Sequence, residues 1–291
     1  MNKKNINSVL CKVHDEFTRS ITDERVRKLV DENSLISGGC IVSMLLGEEI
    51  NDFDYYFTNQ QTCLAVVEYF VAKFNQLHDE RASVKNIDGR IKIFIESQGV
   101  AGDDESEPDL KEYDPMQTNV TPDSDLNNIE EKPKYEPVYL TSNAITLRGK
   151  IQLVIRFYGD AEEIHKNYDF VHCTNYWTSK DRKVFLKQAA LECILNKDLF
   201  YSGSKYPLCS IIRTRKFINR GWKINAGQYL KMAMQLNELD LKDIRVLEDQ
   251  LVGVDSAYFS MLIDALTEKK EKDSVFEINS NYVATIIDKI F

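Results

Sequence analysis

Gly38-Gly39 opens an apolar stretch, and thirteen residues beyond Gly39 two aspartates stand one residue apart in Asn51-Asp52-Phe53-Asp54-Tyr55. Glycines in front of a helix leave backbone N–H groups open to phosphate oxygens, and paired carboxylates hold the divalent ions that neutralise those oxygens. Together they suit phosphoryl or nucleotidyl transfer. Either element alone is a common turn or strand edge; their order, with an apolar helix between, gives the combination its meaning.

The elements that must position these residues read outward from them. Residues 40–46 are apolar at all positions but 43 and stop at Gly47, which predicts a short helix with a glycine C-cap. Its N-terminus and dipole favour an anion. Residues 52–57 read as an aromatic strand, whose alternation puts Asp52 and Asp54 on one face and turns Phe53 and Tyr55 into a core. Residues 138–140, 144–147 and 151–157 read as further strands, with a turn at 148–150 and a helical turn near 160–166. The segment 168–173 then reads as a buried strand. Asp169 on it is the candidate third carboxylate, because an isolated buried charge needs a reason; an aspartate capping the preceding turn is the plain alternative. Gln152 is uncharged, and His172, on the opposite face from Asp169, reads as structural.

Gly38-Gly39, a helix, then Asp52-Phe53-Asp54 resembles the signature of the DNA polymerase beta type nucleotidyltransferases. The run 39–47 is most similar to the CCA-adding and poly(A) polymerase-like forms, except that Val42-Ser43 stands where a charged pair often follows the glycines. The resemblance covers residues 20–175 or so and implies two Mg²⁺ ions on Asp52, Asp54 and Asp169. It also implies a nucleoside triphosphate, expected to be ATP, with its β and γ phosphates held by Ser37, Gly38 and Gly39.

Charge divides the chain unevenly. Its net charge of −9 resides wholly in residues 99–137, which hold twelve acids, three bases and five of the six prolines. This reads as an acidic, proline-rich insertion mobile on its own, either a solvated loop or an acidic gate. Residues 180–231 carry twelve Lys or Arg against three acids. Within them 210–221 reads as a helix ended by Gly221, with Arg213, Lys216 and Arg220 on one face and no acids to pair them. Such a face suits a triphosphate or a nucleic-acid backbone, or is simply a solvated face with cations near a helix C-terminus. Residues 183–195, 226–236, 241–251, 256–266 and 280–290 read as helices, with 268–273 a charged linker.

The expected architecture is α/β of the α+β kind: a small mixed-sheet transferase domain over 1–178, interrupted by 99–137, then a mainly helical domain over 179–291. No leader and no apolar run of spanning length is present, so a cytoplasmic protein is expected, in the host cytoplasm or virion if viral. Six cysteines without Cys-x-x-Cys spacing read as reduced core thiols. The function that follows is metal-dependent transfer of a nucleoside monophosphate to a hydroxyl of RNA, protein or a small molecule. The alternative is a transferase fold kept for binding or structure, as in a viral component.

Overall fold

A computed structural model describes residues 1–78, 81–87, 89–96 and 134–243, with the single positions 246, 250, 272 and 285. Most of the acidic segment 99–137 lies outside the described residues, as do the expected helices 256–266 and 280–290 and nearly all of the linker 268–273 and the second half of 241–251.

The chain divides into two compact units, Met1–His165 with Cys173–Leu191, and Lys166–His172 with Glu192–Phe291. The division expected at 178/179 is displaced in two ways: the first unit runs on to Leu191, and a short piece after His165 belongs to the second.

The first unit is built on helices α1 (Lys3–Ser20) and α2 (Glu24–Asn33), strand β1 (Ser34–Ser37), α3 (Gly39–Leu46), β2 (Phe53–Phe57), α4 (Gln60–Leu77) and the hairpin β3 (Arg81–Ile87) and β4 (Arg90–Glu96). It continues through β5 (Pro137–Leu140), β6 (Ala144–Leu147), β7 (Ile151–Tyr158), α5 (Ala161–His165), β8 (Tyr176–Thr178) and β9 (Lys183–Phe185) into α6 (Gln188–Asn196). Seven strands form one mixed sheet in the order β5-β6-β7-β2-β1-β8-β9. Only β2 and β7 among its pairs run parallel.

Register explains the core. Tyr55 lies opposite Ile36 on one side and Leu153 on the other, and Ile36 opposite Trp177, so one row crosses four strands with every member fully buried. Helices cover that row. Asn2 caps α1 by accepting from the Asn5 N–H, and Ile6, Leu10, His14 and Phe17 form its buried stripe. Phe17 meets Tyr55 edge-on at 5.1 Å and stacks with Phe70 of α4 at 6.1 Å. Asn59 caps α4 in the same way, which buries Cys63, Val66, Val67, Phe70 and Phe74.

Two expected elements differ. Residues 183–185 do not start a helix; they pair with β8 as strand β9, and α6 begins only at Gln188. Residues 168–173 are not a strand of the sheet: Phe170 makes one isolated bridge to Tyr201, and Val171–Cys173 is a turn of 3-10 helix.

The described part of the second unit carries α7 (Pro207–Asn219) and α8 (Ala226–Leu236). Pro207 stands at the first turn of α7, Gly221 with φ 79° follows its end, and Asn225 caps α8. Phe170 packs on Tyr201 and Phe217, while Trp222 and Met232 are buried. All six cysteines are free thiols; Cys40, Cys63 and Cys209 are buried.

Candidate phosphate and metal site

The face of the sheet opposite the core row carries a second, polar row. Ser37 pairs with Asp54, Asp54 with Gln152, and Gln152 with Thr146, so β1, β2, β7 and β6 each contribute one side chain in register. Because side chains alternate along a strand, Phe53 and Tyr55 are buried below while Asp52 and Asp54 stay half-buried above. With its amide nitrogen turned toward them, Gln152 is 3.3 Å from Asp52 Oδ2 and 3.2 Å from Asp54 Oδ1, and donates one N–H to each. The two carboxylates are thus brought to one amide. Their field reaches the start of α3: burial, then the charges of Asp54 and Asp52, hold the Cys40 thiol well above its ordinary range.

The turn into α3 needs its glycines for different reasons. Gly38 has φ 92° and ψ −149°, a conformation that a side chain rarely adopts, and its N–H donates to the Cys173 carbonyl at 3.2 Å. Gly39, the first helical residue, is open: a Cβ built there meets nothing within 4 Å. No side chain caps α3, so its first N–H groups point toward any anion that arrives.

Ser37, expected to touch phosphate, is fully buried. Its Oγ is 2.9 Å from the Asn175 carbonyl, 3.3 Å from that of Cys173 and 2.9 Å from His165 Nε2, so the hydroxyl is committed inside the unit. His165 Nδ1 is in turn 3.1 Å from Lys187 Nζ, which is also 2.8 Å from Glu162 Oε1. Burial, aided by the Lys187 charge, pulls the His165 imidazole down to about 4. Neither His165 nor Lys187 stands out in the sequence, because nothing in their spacing signals an approach to a serine so distant in the chain.

In the second unit the expected residues meet one another. Arg213, midway along α7, donates from Nη1 to Asp169 Oδ2 at 2.6 Å. The carboxylate read as an unpaired metal ligand and the guanidinium read as an unpaired phosphate ligand are one ion pair. The reason lies in the chain path: after α5 the backbone leaves the sheet, and the Asp169 carbonyl accepts from the Ser202 N–H. Lys216 is exposed, and Arg220 is the half-buried C-cap of α7. His172 is fully buried between Phe217 at 4.7 Å and Trp222 at 4.2 Å, and burial holds it down to about 3. Among the described residues, no three His, Cys, Asp or Glu side chains form a group able to hold a metal ion.

The sequence model of the family described as Gabija anti-defense 2 family protein matches residues 8–197. The protein "Gabija anti-defense 2" of Bacillus phage SPbetaL7 is 21% identical over 270 residues, covering 92% of this chain and 51% of the phage protein. Among solved structures, the Thermotoga maritima CCA-adding enzyme complexed with tRNA_CCA is similar with a TM-score of 0.40 at 11% identity, over 93% of this chain and 58% of that one. The Bacillus stearothermophilus CCA-adding enzyme in complex with CTP gives 0.38 at 11%, over 86% and 51%. The chain spans about half the length of its phage relative and less than two thirds of these enzymes.

Proposed function

The chain belongs to the Gabija anti-defense 2 family, and from that premise we propose that it is a metal-dependent nucleotidyltransferase whose product acts against the Gabija defence named in the family's description. One observation carries this reading: the uncapped start of α3 lies next in register to a pair of carboxylates on the same sheet face. The donor set suits the metal. Mg²⁺ prefers hard oxygens, and one or two carboxylates suffice when substrate phosphates and water complete its sphere.

In this reading Asp52 and Asp54 hold the Mg²⁺ ions, and the Gln152 amide, released from its two hydrogen bonds, presents its oxygen to the same place. Bound there, the metal neutralises phosphate charge and favours loss of the acceptor's proton. The N–H groups of Gly39, Cys40 and Ile41 donate to phosphate oxygens, with Gly38 shaping the turn and Ser37 anchoring the end of β1 that leads into it. In the second unit, Lys216 and Arg220 are candidates for binding a phosphate or an acceptor backbone, and Arg213 and Asp169 hold one another. ATP is the expected nucleotide, the acceptor is a hydroxyl of RNA, protein or a small molecule, and the place of action is the host cytoplasm.

Incubation with Mg²⁺ and each labelled nucleoside triphosphate, in the presence of RNA and of host lysate, tests the proposal. One pool takes up label, and Asp52→Ala or Asp54→Ala abolishes the uptake; equal uptake in both variants sinks the assignment. A binding-only reading draws on a different observation, that the third candidate carboxylate, Asp169, is held by Arg213. Thermal unfolding separates the two: an enzyme gains about 2.7 kcal/mol from Mg²⁺-ATP at a hundredfold excess over its Kd, whereas a pure scaffold is unmoved.

A further inference from the structure

We infer that His165 is a positioning residue for the phosphate turn, acting through Ser37 and itself oriented by Lys187. The inference rests on the reading above in one respect, that phosphate binds at the start of α3.

Hydrogen-bond bookkeeping around Ser37 allows one arrangement. The hydroxyl owns a single proton, and the carbonyls of Asn175 and Cys173 can only accept, so the proton goes to Asn175, the nearer at 2.9 Å. The 2.9 Å contact to His165 must then be a donation from the imidazole, which fixes the Nε2–H tautomer. That leaves Nδ1 as an acceptor, and what faces it at 3.1 Å is the Lys187 ammonium, a group that can only donate. The chain of donors runs in one sense, from Lys187 to both Glu162 and His165, from His165 to Ser37, and from Ser37 to Asn175.

Two other roles fail on the same geometry. A nucleophilic serine needs an imidazole that accepts its proton, whereas this one donates to it, has a cation rather than a carboxylate behind it, and serves a hydroxyl with no exposed surface. An imidazolium would turn a second N–H toward the Lys187 ammonium. Besides Lys187 and Glu162, the groups around the ring include Ser37 and the Tyr176 ring, 5.6 Å away. What the chain does is hold the residue immediately before Gly38, whose own N–H is tied to Cys173. Both sides of the turn are thereby fixed before any ligand arrives, which is how a loop comes to bind without first being ordered.

Nitrogen NMR of the imidazole, with calorimetry of inorganic tripolyphosphate and Mg²⁺-ATP, tests this on the whole chain. His165 is expected as the Nε2–H tautomer at neutral pH, and Lys187→Met is expected to raise its titration above about 4, with burial still holding it below 6.5. His165→Gln, which keeps an N–H donor, should bind tripolyphosphate nearly as wild type, while His165→Phe weakens binding about tenfold, the scale of one buried hydrogen bond. An Nδ1–H tautomer, or a Phe variant that binds like wild type, overturns the inference alone. A wild-type protein that binds neither probe overturns the phosphate reading with it. Should the Phe variant fail to fold, the tautomer and the Lys187→Met titration decide.

Discussion

Phe53-Asp54-Tyr55 and Tyr168-Asp169-Phe170 share one local pattern, an aspartate between aromatic residues, and the two aspartates stand in different electrostatic settings. Asp54 belongs to a strand, so its neighbours are assigned by register: Ser37 on one side, Gln152 on the other, with Asp52 on its own face. Asp169 belongs to a segment that leaves the sheet, where a guanidinium 2.6 Å away meets its carboxylate. An amide can release a carboxylate to a metal at little cost, since neither partner of that hydrogen bond is a cation. A guanidinium leaves behind a desolvated charge. The first contact joins an anion to a neutral amide, the second joins two opposite charges.

Exchange of each aspartate for asparagine breaks or keeps this contrast. Asp54→Asn should abolish labelled transfer with a nearly unchanged urea midpoint, whereas Asp169→Asn should cost about 1–2 kcal/mol of stability. That figure is less than a wholly buried pair, because the Arg213 side chain is 36% exposed. Asp169→Asn with Arg213→Met should recover part of the loss. Transfer abolished by Asp169→Asn at unchanged stability would instead make Asp169 a third metal ligand. A smaller effect is expected on acidification. Buried His165 and His172 titrate at about 4 and about 3, so between those values and 6.5 the unfolded chain binds more protons than the folded one. Their contribution is therefore complete above 6.5 and is lost as pH falls, ending near 4 for His165 and near 3 for His172. Urea midpoints across this range should lose part of their slope in His172→Phe; a slope unaltered by that change would mean the imidazole is not buried in its neutral form.

Gln152→Glu sharpens the first half of the comparison. A third carboxylate in the same row should lower the melting temperature in EDTA and enlarge the rise on adding Mg²⁺, and a variant indifferent to Mg²⁺ would remove Gln152 from the metal's surroundings. Gly39→Ala should have the least effect on folding, within about 0.5 kcal/mol, since the added methyl meets open space in a helical position. It should still weaken Mg²⁺-ATP binding by occupying the approach to the α3 N–H groups, and undiminished binding would place the phosphates elsewhere.

Much of the first unit was legible because its signals are local. Residues 40–46 and Gly47 announce α3 and its cap, and alternation in 52–57 announces which face the aspartates share; in the second unit, 226–236 gives α8 to the residue. What escaped depends on partners distant in the chain. Lys183-Val184-Phe185 has a helix-compatible pattern until β8 pairs with it. Asp169 reads as unpaired until α7 brings Arg213. Ser37 reads as a phosphate ligand until α5 and the segment through Asn175 cover its hydroxyl. The presence of Gln152 was visible, but not its contact with both aspartates, which only the β2–β7 register creates.

That register also joins residues far apart in the chain. Asp54 and Gln152 are joined by the parallel pairing of β2 and β7, and every residue between them, including the acidic stretch 99–137, is an excursion from that joint. Closing such an excursion is a contact of high sequence separation, whereas α4 and the β3–β4 pairing close over short stretches of chain. Because the closure entropy of a flexible loop grows only with the logarithm of its length, doubling such a loop costs about 0.6 kcal/mol. Residues 99–137, which carry the chain's entire net charge, fall within that excursion, so added length there would cost the β2–β7 pairing little.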